Sequence, residues 1–180
     1  MKRLNFNRMK DKDKRKALYK EMRTNSIDTI YTQRGHSILV DPELLDELCD
    51  YTWCSNPRGY ASCSLRGDSV LHLQKHVLDT DSLVDHINGD PTDNRKINLR
   101  IASVWQNGCN KQHSKVGASG FRGVTSSRKA NVWVAQLSHK GSCIFIGHFN
   151  NPRDAARAYD CRALELRGEF AVTNKSLGLL

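Results

Sequence analysis

The stretch Val84-Asp85-His86-Ile87-Asn88-Gly89-Asp90-Pro91-Thr92-Asp93-Asn94-Arg95-Lys96-Ile97-Asn98-Leu99-Arg100-Ile101 is the densest run of polar and turn-forming residues in the chain. Apolar residues at both ends, with Gly, Pro, Asn and Asp between them, predict a strand, a turn-rich loop and a returning strand. Ser103 follows, and Gln106 stands three residues on, the spacing of a capping box that opens a helix through Val104, Trp105 and Asn107. The local order is therefore ββα. Asp85 and His86 end the first strand, Asn98 lies on the returning strand and Asn107 in the helix, so a compact hairpin gathers all four. A regular strand sends adjacent side chains to opposite faces, so this strand is expected to end or distort at Asp85-His86.

Those residue types suit one chemistry in particular. Hydrolysing a phosphodiester near neutral pH needs an activated water and stabilisation of charge on the phosphate and the leaving oxygen. A neutral imidazole is a suitable base, and a hard cation such as Mg²⁺ takes oxygen ligands from Asp or Asn. The plainer reading makes Asp85, Asp90, Asp93 and Asn94 simple turn formers.

Working outward, residues 25–116 form one candidate domain. Short extended stretches (Ile27–Tyr31, His36–Val40, Gly59–Leu65) are separated by turns such as Asn56-Pro57-Arg58-Gly59. Pro42–Asp50 reads as a short acidic helix, and Val70–Leu78 as another. At the polar stretch the sequence resembles the HNH endonucleases, in particular the phage and intron-encoded homing nicking enzymes. The ordered set is Asp85-His86, a loop with Asn88-Gly89-Asp90, then Asn98-Leu99-Arg100 and the helical Asn107. Gly59-Tyr60-Ala61 and Leu71-His72 match more loosely. The resemblance implies a ββα-metal fold with His86 as general base. It also implies Asp85 and Asn107 as ligands of one divalent ion (Mg²⁺ or Mn²⁺) per site, and Asn98 bracing the loop and orienting His86. Asn110 is an alternative ligand if the helix register differs. Two i,i+4 pairs, His72 with His76 and Cys109 with His113, have helical zinc spacing but lack further ligands.

Residues 117–180 follow a Gly/Ser-rich joint, Gly117-Ala118-Ser119-Gly120. Three strands (Phe121–Ser127, Val132–His139, Cys143–Phe149) precede a helix that Asn151 caps, Pro152 opens and Gly168 stops. Trp133, Ala135 and Leu137 share one strand face, and Val134, Gln136 and Ser138 the other. Ala155, Tyr159, Ala163 and Leu166 form a stripe along the helix. Phe121-Arg122-Gly123-Val124, Trp133-Val134-Ala135-Gln136-Leu137, Ile146-Gly147-His148-Phe149 and Ala155-Ala156-Arg157-Ala158-Tyr159-Asp160 resemble the plant ethylene-response-factor (Apetala-two) DNA-binding domain. That resemblance implies a three-stranded antiparallel sheet laid in the DNA major groove and backed by one helix. Arg122, Arg128, Lys129, Gln136, Ser138 and Lys140 are then the expected contacts. Thr125, Ser126, Ser127 and Phe145 depart from the plant pattern, so the plant sequence preference does not carry over.

Charge and composition agree with this division. The chain of 180 residues carries +9, with 28 Lys and Arg against 19 Asp and Glu. Residues 1–24 hold +7, residues 25–116 hold −3 and residues 117–180 hold +5. Basic flanks around an acidic centre fit a polyanion held at the ends and a cation held in the middle. Residues 1–24 read as a basic arm. No apolar run reaches the length of a membrane span, and no apolar segment of a secretory signal follows Met1, so an intracellular setting, in a bacterial or phage-infected cell, is expected. The six cysteines contain no C-x-x-C pair and are expected to be reduced and mostly buried.

The whole predicts an α+β protein: a basic arm (1–24), an HNH nuclease domain (25–116) and an Apetala-two-like domain (117–180). Its expected activity is metal-dependent cleavage of double-stranded DNA, with one site per chain, a monomer and single-strand nicking. A DNA-binding regulator with a decayed, inactive HNH fold is the alternative. A structural RNA-binding protein fits the charge but not the Asp-His-Asn set.

Overall fold

Thr29–Tyr31 (β1) and Ser37–Leu39 (β2) pair antiparallel, with Ile30 opposite Ile38, and both of these side chains are fully buried. They open a computed structural model that describes residues 13, 14, 17, 20, 28–65, 69–110, 116–127 and 132–180. Of the basic arm, Asp13, Lys14, Ala17 and Lys20 are helical and exposed, and the rest lies outside the described residues. By packing, the chain divides into two compact units, Met1–Ile101 and Ala102–Leu180.

In the first unit a 3-10 turn at Pro42–Leu44 runs into α1 (Leu45–Leu48), so the expected acidic helix is short. Cys54–Ser55 (β3), Ala61–Ser64 (β4) and Val70–His72 (β5) form an antiparallel sheet in the order β3-β4-β5. Val70–Leu78 is thus not one helix: its first three residues extend β4's ladder, and α2 (Leu73–Val77) begins after them. His72 and His76 therefore do not share a helix, and His76 Nε2 pairs with Glu47 at 2.8 Å. Ile30, Ile38, Val40, Leu45, Leu48, Trp53 and Leu73 make the core. Trp53 buries its ring there because Nε1–H donates to Leu48 O at 3.0 Å.

Val84–His86 (β6) and Leu99–Ile101 (β7) close the unit as an antiparallel pair. Val84 and Leu99 belong to the same core, which anchors both ends of the intervening loop. Asn98 ends a 3-10 turn, Lys96–Asn98, immediately before β7, rather than lying on the strand as expected.

The second unit begins with α3 (Val104–Cys109). Its capping box is present: Ser103 Oγ accepts from Gln106 N–H, and the Gln106 side chain accepts from Ser103 N–H. Ala102, Cys109 and Phe170 bury against one another with Trp105 beside them. The Trp105 ring also lies edge-on to His139 at 5.0 Å, with Lys140 Nζ 5.5 Å from its centroid. This helix is thus packed on the C-terminal module.

Val124–Ser126 (β8), Trp133–His139 (β9) and Ser142–Phe149 (β10) form an antiparallel sheet in the order β10-β9-β8, and α4 (Pro152–Arg167) packs on it. Ala135 and Leu137 are buried towards the helix, whereas Gln136 and Ser138 are exposed, the alternation the sequence shows. A bulge falls between Phe145 and Gly147, so Phe145 pairs with Gln136 and Gly147 with Ala135. The extra residue reverses the alternation, leaving Ile146 in the core while the rings of Phe145 and His148 meet at 5.1 Å.

A buried polar knot locks this unit. Asn174 Oδ1 accepts from Arg122 N–H at 2.6 Å, and its Nδ2 donates to Arg122 O and to Asp160 Oδ1. Asp160 also accepts from the backbone N–H groups of Asn174 and Lys175. All six cysteines are free. Cys49, Cys63 and Cys109 are buried but Cys54, Cys143 and Cys161 are exposed, so the expectation of mostly buried cysteines holds for only half of them. No helix among the described residues is long and apolar enough to cross a membrane.

Candidate active site

Strand β6 is buried along its whole length, which places both Asp85 and His86 out of solvent, at 4% and 5% exposure. The strand stops at His86, where Ile87 N–H turns to Asn98 O at 2.8 Å and Gly89 N–H to His86 O at 2.9 Å. The expected break at this pair is therefore a strand end. Asp85 and Arg100 face each other across the hairpin. Asp85 Oδ2 accepts from Arg100 Nε at 3.0 Å and Nη2 at 2.9 Å, so the buried carboxylate has a charge-assisted partner that offsets its loss of water.

The loop between the strands is braced by its own side chains. Asn88 Oδ1 accepts from Asp90 N–H, and Asp90 Oδ1 accepts from both the backbone and the hydroxyl of Thr92. Asn98 joins both ends of this loop: Oδ1 accepts from Asn88 N–H, and Nδ2 donates to Asn88 Oδ1 and Asp93 O. Backbone bonds from Leu39 N–H to Thr92 O and from Asn94 N–H to Leu39 O tie the loop to β2. Gly59, at φ +93, leaves room for Pro91, whose Cγ would stand 2.9 Å from a Cβ there.

One side chain that meets His86 is Asn94. Asn94 is fully buried, and its Oδ1 lies 3.2 Å from His86 Nε2 while its Nδ2 donates to Pro91 O at 3.0 Å. The Tyr60 ring stands edge-on to the imidazole at 5.7 Å. Burial pushes the His86 imidazole below its ordinary value, against opposing pulls from the Asn94 hydrogen bond and from Asp85, Asp90 and Asp93. A neutral ring near pH 7 follows.

Asp93 and Arg95 make a second braced pair, with Nε on Oδ1 at 2.8 Å and Nη2 on Oδ2 at 2.7 Å. The hydrogen bonds from Arg95 hold the Asp93 carboxyl below the usual carboxylate range, outweighing burial. A depressed carboxyl adds stability that is fully present above its unfolded value, about 3.9, and is lost as pH falls through the folded value. Asp93→Asn should therefore lower stability at pH 7 and shrink the loss of stability below about pH 4, read by denaturant unfolding across pH. An unchanged acid limb would sink this assignment.

Among the other expected site residues, Asn107 is exposed on α3 in the second unit, and Asn110, the cap of that helix, is buried. Gln136 and Ser138 lie on the exposed sheet face, and Lys140 is exposed at the β9–β10 turn. Arg128 and Lys129 lie outside the described residues, as does His113. Arg122 departs from expectation. It is 9% exposed and its Nε donates to Tyr159 Oη at 3.1 Å, so it ties the sheet to α4 instead of presenting itself to a ligand.

Sequence reasoning passed over Asn94, Tyr60 and Arg100 as functional partners. Antiparallel pairing signals Arg100, because placing Val84 opposite Ile101 sets opposite charges face to face. Nothing local signals Tyr60 or Asn94, whose approach to His86 depends on the path of the loop.

Comparison with known proteins adds the family. No family model matches the chain. An uncharacterized HNH endonuclease of Acanthamoeba polyphaga mimivirus is 32% identical over 132 residues, covering 69% of this chain and 67% of the relative. An AP2-like ethylene-responsive transcription factor of Arabidopsis thaliana is 38% identical over 60 residues, which is 32% of this chain but 11% of that factor. An ethylene-responsive transcription factor of the same plant is 39% identical over 56 residues, 30% of each protein. The chain thus spans only a small part of these plant relatives. With a buried Asp-His pair at the end of a hairpin strand and that extent of identity to the viral relative, the chain belongs to the HNH endonuclease family, and about 60 of its residues are similar to the AP2/ERF DNA-binding domain.

Proposed function

We propose that the protein is a site-preferring, divalent-metal-dependent DNA endonuclease that nicks one strand, in the manner of a homing enzyme. The observation that carries this reading is the buried Asp85-His86 pair at the end of β6, braced by the loop that follows it. His86 accepts a proton from a water molecule, whose oxygen attacks the phosphorus. The bond from phosphorus to the 3′ oxygen breaks, and that oxygen gains a proton from solvent. Asn98 keeps the loop closed around the base through its bonds to Asn88 and Asp93.

The donor set suits a hard cation. Asp85 offers carboxylate oxygen and Asn107 amide oxygen, the ligands Mg²⁺ or Mn²⁺ prefer, with water and phosphate completing the shell. Asn107's share rests on the family resemblance. When bound, such an ion supplies stabilisation of the charge on the phosphate and the leaving oxygen. Gln136, Ser138 and Lys140, with Arg128 and Lys129, are the proposed contacts that anchor the enzyme on flanking double-stranded DNA. One site in a monomer cuts one strand. A mobile genetic element in a phage-infected cell is the proposed setting.

Supercoiled plasmid incubated with the protein and Mg²⁺ should accumulate nicked circles, and a chelator should stop this. Absence of cleavage on any DNA the protein binds would instead favour a binding protein with an inactive HNH fold.

A further inference from the structure

We infer that Phe145 and Gln136 together select thymine beside adenine, from the exposed face of the β8–β10 sheet. This rests on the proposed DNA-binding role of the module and names the bases it prefers. Gln136 and Phe145 are direct neighbours across β9 and β10, and both are exposed. Phe145 is 59% exposed, although an aromatic hydrocarbon ring gains by leaving water. The bulge after Phe145 turns Ile146 to the core and leaves the Phe145 ring outside. His148 stands beside it, with ring centroids 5.1 Å apart and planes tilted by 59°, which narrows the directions the ring can take. Thr125, Ser138 and Cys143 are exposed around the pair. No Asp or Glu occurs among residues 117–151, whereas Arg128, Lys129 and Lys140 do. The carboxylates of the module, Asp154, Asp160, Glu165 and Glu169, fall on α4 and the turn after it, so the strands are left to a polyanion.

Binding phosphate regardless of sequence needs only Lys and Arg, and gives an exposed phenyl ring no task. Base edges do. In the major groove thymine presents its C5-methyl group, and adenine presents an acceptor at N7 and a donor at N6. The Gln136 amide matches adenine, with Nε2 donating to N7 and Oε1 accepting from N6–H. Cys143 Sγ donates to Oε1 at 3.7 Å, a weak bond that leaves the second lone pair of that oxygen for the base. A phenyl ring matches the thymine methyl, since contact takes apolar surface of both out of water. Against cytosine the same ring would cover the N4 amino group without accepting from it, which costs free energy. Cross-strand neighbours are about 5 Å apart, so the two side chains reach one base pair or two successive ones.

The test selects binding duplexes from a random-sequence pool with the full-length protein, under a chelator that prevents cleavage. A site holding thymine and adenine should be enriched. Deoxyuridine in place of that thymine removes the C5-methyl and nothing else. The native protein should bind the uridine duplex about threefold to tenfold more weakly at fixed salt. Phe145→Ala should bind the two duplexes equally, whereas Gln136→Ala should lose the preference for adenine and still favour thymine over uridine. Equal native affinity for the two duplexes overturns the inference, as does a folded Phe145→Ala that still tells them apart. Should Phe145→Ala fail to fold, the native comparison decides. If duplexes are bound but no sequence is enriched, the base selection fails and the DNA-binding role stands; if no duplex is bound, both fail.

Discussion

Replacing His86 by alanine is expected to slow single-turnover plasmid nicking by about a hundredfold to ten-thousandfold, the usual share of a general base, while DNA affinity is kept. The imidazole sits at 5% exposure, so it is no surface contact for phosphate, and its removal takes no positive charge from the protein near pH 7. Its neighbours keep other bonds when the ring is removed: Asp85 to Arg100, Asn94 to Pro91 O, and the loop through Asn98 to Asn88 and Asp93. The fold should survive, which thermal unfolding of the variant verifies. A binding isotherm close to native beside a collapsed nicking rate is the supporting result. Native-rate nicking by a folded His86→Ala would remove the histidine from the chemistry.

The second large effect is on stability. Gly123→Ala should lower the stability of the unit formed by residues 102–180 by about 3 kcal/mol, through strain and overpacking together. Gly123 has φ +73, and a Cβ there would stand 2.1 Å and 2.2 Å from Tyr159 Cδ2 and Cε2 and 2.9 Å from Gln136 O. Tyr159 cannot retreat easily, because it is buried in the core of the module and its Oη accepts from Arg122 Nε. For a unit of this size the melting temperature should fall by about 15 °C. Gly120→Ala separates the two causes. Gly120 has φ +72 but nothing within 4 Å of its would-be Cβ, so about 1 kcal/mol is expected there. Equal losses for the two variants would show that contact with Tyr159 contributes nothing. Loss of the module should also weaken DNA binding and flatten its salt dependence, since phosphate contacts carry that slope.

The fold was legible where it rests on local rules. Ser103 and Gln106 announce α3, Asn151 and Pro152 announce α4, and alternation along Trp133–His139 separates buried Ala135 and Leu137 from exposed Gln136 and Ser138. Weak local signals misled. Two-residue β3 has no periodicity to read, and the apolar spacing of Val70–Leu78 serves a strand and a helix equally well. Arg122 looked like a DNA contact because Arg commonly is one, yet the Tyr159 hydroxyl and the Asn174 side chain draw it inside.

By itself the sequence determined the ββα order, the Asp85-His86 pair at a strand end, the capped helices and the two families the chain resembles. These follow from side-chain chemistry and from spacings of a few residues. Only the tertiary structure decided which groups surround the base. Asn94, eight residues from His86 along the chain, meets Nε2 because Leu39 on another strand pins the loop, and Tyr60 meets the ring from the turn that precedes β4. Contacts of that kind depend on how separate elements pack around a common core, and no local spacing encodes them.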